Sequence, residues 1–229
     1  TSGTAADRVI IYINGVRQSL ETDNTVTQNT DYFFNTTNNH TIGIYANNSS
    51  YPLDGYMAEV NFIDGTQLTP SSFGETDAAT GQWIPQKYAG SYGTNGFYLP
   101  FTGDASNTAF VDSSSHGRTV TTVNGARHST AQKKIGASSI YFDGANSDDA
   151  IGVPDHSDFD FGTGDFTIEC WVRRSRQDAD EWIFMHSDGT GAGSAAGLHI
   201  WSTQYGGSNA NKAHFRLRMG GSSIDVNGT

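Results

Sequence analysis

The segment from Phe166 to Arg173 alternates apolar and polar residues without a break, and it constrains the fold more than any other stretch of the chain. Its apolar positions are Phe166, Ile168, Cys170 and Val172. Successive side chains of a β-strand point to opposite faces, so this spacing predicts a strand with one face on a core. A helix would need a period of 3.6, which the segment does not have.

Short strands of this kind recur along the chain, with turn residues between them. We predict further strands at 9–13, 40–45, 55–63, 119–123, 138–142, 150–153, 182–185, 197–201 and 214–219. Asn14-Gly15 predicts a tight hairpin turn, and the strand at 119–123 is predicted to end at Asn124-Gly125. Strict alternation in 55–63 places Tyr56, Ala58, Val60 and Phe62 on one face. The spacing predicts an all-β fold, an antiparallel β-sandwich.

Helical signals are almost absent. No stretch of ten or more residues carries a helical stripe. One short helical turn is predicted at residues 68–73, with Thr69 as its cap and Pro70 at its first position.

The charge balance excludes two classes of partner. The chain has 24 acidic and 13 basic residues, a net charge of -11. Such a surface repels phosphate backbones and anionic lipids, so we expect no nucleic-acid partner and no docking on anionic membranes. No run approaches 18 apolar residues, so we expect no membrane insertion. Cys170 is the single cysteine, so no internal disulfide forms.

Several motifs resemble a known family. Residues 141–144, 151–161 and 164–173 are similar to the opening half of a laminin-G/pentraxin-like jelly roll, of the concanavalin A-like lectin/glucanase superfamily. Residues 8–16 and 55–63 resemble its closing half. Residues 73–101 resemble an extension common in structural proteins of marine tailed phages. The resemblance implies a binding or structural module on a virion or another extracellular surface.

The order of these motifs is reversed, because the closing half precedes the opening half. Two arrangements remain open: two partial sandwiches of a tandem array, or one circularly permuted sandwich. The small polar residues of 103–118 mark the best domain boundary. We expect residues 1–103 to form a closing half with an aromatic, Gly-rich extension at 66–101, and residues 104–229 to open a second sandwich. Thr1 without a methionine and a chain that stops at a turn favour the tandem array.

The sequence predicts no catalytic site. Glucanases of this superfamily carry several carboxylates on one strand, as acid/base glycoside chemistry requires. Here Glu59 and Glu169 are the single acids of their predicted strands. Cys170 alternates with core positions, so we interpret it as a structural thiol and not a nucleophile.

Aromatic and amide residues are the candidates for binding a glycan, because exposed rings stack on sugars and amides bind hydroxyls. The candidates are Trp182, Trp201, Tyr205, Asn209, Asn211, Tyr32 and Tyr51. Calcium is the one candidate cofactor, since members of the resembling families hold it at the sandwich rim with loop oxygens. Its candidate ligands are Asp143, Asp148, Asp149, Asp155, Asp158 and Asp160.

Three functional hypotheses follow. The first is a non-catalytic module that adheres to glycans on a host surface. The second is an architectural domain that packs against other copies, or further domains of its parent protein, through sheet edges. The third is a glycoside hydrolase of concanavalin A-like fold. We expect the first.

Overall fold

A computed structural model of the chain describes residues 2–19, 26–30, 32, 39–45, 51–105, 107–145, 149–154, 156, 163–187, 195–200, 210–219 and 222–228. Within these ranges the structure is almost entirely β, which confirms the predicted fold class. In the same ranges no helix is long and apolar enough to cross a membrane.

The described residues form sixteen strands. They are β1 Tyr12–Ile13, β2 Val16–Arg17, β3 Asn39–Ile42, β4 Asp54–Asp64, β5 Gly74–Thr76, β6 Trp83–Pro85, β7 Phe97–Leu99, β8 Thr121–Val123, β9 Arg127–Ser129, β10 Ser139–Asp143, β11 Ala150–Val153, β12 Phe166–Arg174, β13 Glu181–Ser187, β14 Ala195–Ile200, β15 Ala213–Met219 and β16 Ser222–Asn227. The predicted helical turn is a 3-10 turn at Pro70–Ser72, preceded by Thr69.

The smaller of the two main sheets is built around β4. This sheet has five strands in the order β12-β4-β10-β9, with β7 also paired to β4. Strand β12 pairs with Gly55–Asp64 along one edge of β4. On the other edge of β4, β10 pairs with its first residues and β7 with its later ones. Among the described strands, β12 is therefore at one edge of this sheet.

The larger sheet has seven strands in the order β16-β15-β14-β13-β3-β11-β8. Strand β3 lies between β11 and β13, and Ile42 is opposite both Ile151 and Phe184. The predicted hairpin at Asn14-Gly15 is confirmed, with Ile13 opposite Val16 and positive φ at both turn residues. It joins β1 and β2 apart from the two main sheets, and β5 pairs with β6 in the same way.

Both halves of the chain contribute to both main sheets. Strands β3 and β4 come from the first hundred residues, and each lies between strands from residues 139–187. Of the two arrangements left open by the sequence, the structure has the one in which both halves assemble into one sandwich. The prediction that favoured a tandem pair of partial sandwiches is wrong for these strands. The main partners of β3 and β4 come from the second half of the chain and not from their own.

The core lies between the two main sheets. Phe62 of β4 stacks on Phe184 of β13 with ring centroids 5.8 Å apart and nearly parallel planes, so the sheets meet through these rings. Phe97 stacks on Phe62 from β7 at 5.4 Å. Phe142 and Ile151 complete the buried centre of the same cluster. Burying a large apolar side chain stabilises the fold by about 1.5–3 kcal/mol, and this cluster is the main source of that gain.

A β-bulge in β4 changes the predicted faces of that strand. Glu59 and Val60 together oppose Cys170 of β12, and Glu59 has a φ of 54°. Such an insertion shifts the alternation by one residue. Met57 therefore joins Val60 and Phe62 in the core, and the prediction that Tyr56 and Ala58 share their face is wrong.

Candidate functional site: a cavity along the edge strand

A cavity of about 330 Å³ lies along the edge strand β12. Its floor contains Phe166, Ile168 and Cys170, which the alternation of β12 turns toward the core. Leu198 and Phe215 line it from the seven-stranded sheet. The cavity therefore lies where the sandwich is open at one side, between the edge of one sheet and the inner face of the other.

The N-terminal segment forms one wall of the cavity. Arg8 holds this segment together, because its guanidinium donates hydrogen bonds to the carbonyl oxygens of Ser2, Gly3 and Val26 at 3.0, 3.2 and 2.6 Å. The hydroxyl of Tyr32 accepts a hydrogen bond from the backbone of Thr27 at 2.9 Å. Val9, Ile11 and Val26 add apolar surface to the same wall.

The opposite wall is the start of the 66–101 extension. Thr167 of β12 anchors it: the hydroxyl accepts a hydrogen bond from the N–H of Leu68 at 2.9 Å and donates one to the carbonyl of Thr66 at 2.8 Å. The two walls meet at the hairpin tip, because a Cβ at Gly15 would lie 2.7 Å from the ring of Trp83. A glycine is required there by both the turn and the ring.

The lining is mainly apolar, with a few polar groups at its margin. Four charged residues belong to it: Asp7, Arg8, Asp165 and Glu169. Asp7 is paired with Arg17 at 2.7 Å, and Arg8 is occupied with backbone carbonyls. An apolar cavity of this size with a few convergent polar groups has the character of a ligand-binding site.

Glu169 links the cavity to a buried polar cluster on the outer face of the five-stranded sheet. Asn61 lies opposite Glu169, and its amide donates hydrogen bonds to the carboxylate at 2.8 Å and to the backbone oxygen of Glu59 at 2.9 Å. The bulge at Glu59 keeps that residue on the same face as Asn61. Two acids from different strands thus come together, although each strand carries only one.

Two tyrosines of the 66–101 extension cover this cluster. Tyr98 donates a hydrogen bond of 2.5 Å to the Glu59 carboxylate, and Tyr92 donates one of 3.1 Å to the Asn61 carbonyl oxygen. Their rings stack on each other with centroids 5.7 Å apart. Lys87 lies 5.8 Å from the Tyr98 ring. Glu59 is 4 % exposed and so is closed off from solvent beneath these rings.

Burial dominates the protonation of the two acids. It raises the pKa of Glu169 to about 8, with a smaller raising effect from the charge of Glu59 and an opposing effect from the Asn61 hydrogen bond. Burial also raises the pKa of Glu59, against the hydrogen bond from Tyr98 and the charge of Lys87. Glu169 therefore keeps its proton at neutral pH in the unliganded protein.

The Cys170 thiol is a cavity-lining group with low reactivity. It packs against the core cluster, and burial raises its pKa above the usual value, with a further contribution from Glu169. The thiolate is the nucleophilic form, so this environment suits a packing role.

The residues predicted to bind a glycan do not come together at one site in the described part of the chain. Trp182 and Tyr32 are buried, with 3 % and 8 % of their surfaces exposed. Tyr51 is 45 % exposed, and Asn211 is exposed and accepts a hydrogen bond from Arg174 at 3.1 Å. Trp201, Tyr205 and Asn209 lie outside the described residues.

Trp182 is part of a row of rings that the sequence did not predict. Its ring stacks on His199 with centroids 4.6 Å apart, and His199 stacks on His214 at 5.3 Å. The three residues are cross-strand neighbours in β13, β14 and β15. Burial lowers the pKa of His199, so that ring is neutral. The alternation of each strand could have indicated the shared face, but only the register makes them a row.

Two of the calcium candidates support the backbone around one loop. Asp149 accepts hydrogen bonds from the N–H groups of Gly125 and Asp143 at 2.6 and 3.2 Å. Asp143 accepts one from the N–H of Ala145 at 2.9 Å. Asp148, Asp155, Asp158 and Asp160 lie outside the described residues. In the part of the chain that is described, no three His, Cys, Asp or Glu side chains group as a metal site requires.

Comparison with known proteins adds no relative from which a role could be inferred. No protein-family model, curated protein or solved structure matches this chain.

Proposed function

We propose that this chain is a non-catalytic binding and assembly module that captures an extended, apolar polypeptide segment along strand β12. The main observation in support is the cavity beside this edge strand, which has an apolar floor and two walls supplied by the same chain. An edge strand presents unpaired N–H and C=O groups that a further strand can use. Main-chain hydrogen bonds then give affinity, and the cavity selects alternate side chains.

The polar cluster supports a role without catalysis. A glycosidase needs both carboxyl groups in reach of the sugar. Glu59 instead is buried beneath Tyr98 and hydrogen-bonded to it. The resemblance of residues 141–173 to laminin-G modules supports a position on a virion or another extracellular surface, where such modules join larger assemblies.

Capture of a polypeptide is favoured over capture of a glycan by the character of the lining. Sugar sites need exposed ring faces beside hydroxyl-binding groups. The walls here include Trp83, which lies against Gly15, and Trp171, whose ring has Lys134 4.6 Å from its centroid, and the floor is Phe166, Ile168 and Cys170. The buried positions of Trp182 and Tyr32 point the same way. Glycan adhesion is the alternative outcome of the experiment that follows.

The test uses a fluorescein-labelled nonapeptide of alternating valine and threonine, matched in length to the nine residues of β12. We expect saturable binding by fluorescence anisotropy and slower hydrogen exchange of the amides of 166–174. Substitution Ala213→Leu, which adds bulk to the cavity lining, should weaken binding. Substitution Val123→Lys in edge strand β8 of the other sheet is the matched control and should leave it unchanged.

Two results would overturn the proposal. One is the absence of saturable peptide binding; the other is binding that protects β8 and not β12. A glycan array run with the same protein, with and without a calcium chelator, completes the comparison. Binding to a glycan without peptide binding would favour adhesion, and turnover of a β-glucan that is lost in Glu169→Gln would favour hydrolysis.

A further inference from the structure

The charges around the cavity say what kind of segment fits it. Three of its four charged lining residues are acidic. Arg17 neutralises Asp7, and the backbone carbonyls of Ser2, Gly3 and Val26 occupy Arg8. The whole chain carries a net charge of -11. At long range the protein therefore favours a positively charged partner.

Glu169 is the lining residue whose carboxylate can form an ion pair with a cationic side chain of the partner. Its carboxylate accepts one hydrogen bond, from Asn61, and no other described residue donates to it. The groups that affect it electrostatically are acidic or neutral: Glu59 from β4 and Asn61 beside it. Lys87 affects Glu59, and the Tyr92 and Tyr98 hydroxyls are directed to Asn61 and Glu59. Among the described residues, no cation compensates Glu169.

We infer that the segment bound along β12 presents a lysine or arginine side chain to Glu169, between apolar side chains that enter the cavity. This inference rests on the proposed function and specifies its partner. The apolar floor on either side of Glu169, at Ile168 and Cys170, receives the flanking residues. A positive group at Glu169 exchanges the carboxyl proton for an ion pair, so a proton leaves to solvent on binding.

The experiment compares four nonapeptides that share the valine–threonine frame. One has lysine at its centre, one has norleucine there, one has glutamate there, and one has norleucine at the centre with lysine at its end. The last peptide matches the charge of the first, so it separates contact at Glu169 from general attraction to an acidic protein. We expect the central lysine to bind about tenfold more tightly than either norleucine peptide, and glutamate to bind least.

A second measurement determines the number of protons released when the peptide binds. Calorimetry at pH 7 in buffers of different ionisation enthalpy should give a release of about one proton per bound central-lysine peptide, and none for norleucine. Substitution Glu169→Gln should remove both the preference and the release. Substitution Glu75→Gln, at an exposed acid of β5, should keep both.

The outcomes separate the two proposals. If the norleucine and central-lysine peptides bind equally well, or the two lysine peptides do, the inference about Glu169 is wrong while the binding module stands. If no peptide binds, the proposed function fails and the inference fails with it. If Glu169→Gln does not fold, the comparison of peptides on the unaltered protein still decides.

Discussion

The carboxylate of Glu181 accepts a hydrogen bond of 2.8 Å from the backbone N–H of Asp54, a residue 127 positions earlier in the chain. The same carboxylate pairs with Arg174 and lies 3.7 Å from the Nε of Arg176. Glu181 is fully buried, whereas the two arginines are partly exposed. One acid thus ties the start of β4 to the turn between β12 and β13.

Removal of this acid is expected to destabilise the whole sandwich. In Glu181→Gln, two partly exposed guanidinium groups lose their counter-charge, so we expect a loss of about 1.5–3 kcal/mol, the range for hydrogen bonds to charged groups. Urea unfolding followed by tryptophan fluorescence measures the loss. Glu75→Gln is the exposed control and should change stability by less than about 0.5 kcal/mol. Equal, small effects in both variants would show that the Glu181 pairing carries no stability.

Stability should fall as pH rises from about 4.5 to about 8, because of Glu169. Its folded pKa of about 8 lies above its unfolded value of 4.5, so the folded state holds the extra proton in this window. The free energy of unfolding then falls with pH, by up to about 1.4 kcal/mol per pH unit. Glu169→Gln cannot lose a proton, so its slope should be flatter. Urea titrations at pH 5, 6, 7 and 8 compare the two, and parallel curves would contradict the raised pKa.

Gly15, in the turn between β1 and β2, and Gly81, in the turn between β5 and β6, form a matched pair of glycines. Gly15 and Gly81 both have positive φ, 78° and 69°, but only Gly15 lies against a side chain, the ring of Trp83. Alanine at Gly81 should cost about 1 kcal/mol from backbone strain alone. Alanine at Gly15 should cost clearly more, because its Cβ also displaces Trp83, and it should weaken peptide binding by moving a cavity wall. The same loss of stability in both variants would argue against the Trp83 contact.

The two halves of the chain should not fold separately. Residues 1–103 contain β3 and β4 without their main neighbours, and residues 104–229 lack the central strand of the five-stranded sheet. We expect each fragment alone to show no cooperative thermal unfolding. A 1:1 mixture should regain a transition and the near-ultraviolet circular dichroism of packed aromatic rings. A cooperative transition in either fragment alone would mean that it holds a sandwich of its own.

Local structure was predictable from the sequence where a short-range signal decides it. Asn14-Gly15 marks a hairpin because few other residues adopt positive φ in succession, and the alternation of Phe166 and Ile168 places both against the core, as predicted. The bulge at Glu59 was not predictable, because residues 55–63 alternate in sequence as those of a regular strand do. Only the pairing of β4 with Cys170 of β12 reveals the extra residue.

Long-range register accounts for the rest of what the sequence did not predict. Glu169 meets Asn61 across 108 positions, and the row from Trp182 to His214 depends on three strand pairings. The cavity needs the N-terminal wall and the extension to meet at Gly15 and Trp83. No pattern within one segment carries that information, since it arises from how the strands are ordered in the sheets.

The position of β3 and β4 inside sheets completed by later strands has a consequence for synthesis. A ribosome releases both strands long before β10 to β13. The chain must extend from residue 64 to residue 139 before β10 can pair with β4, and from residue 42 to residue 150 before β11 can pair with β3. Contacts this distant in sequence form slowly, because loop closure precedes any gain from pairing. Assembly of the two main sheets is therefore expected to wait until residues 139–187 have left the ribosome, and its yield in cells should depend on chaperones that shield unpaired strands.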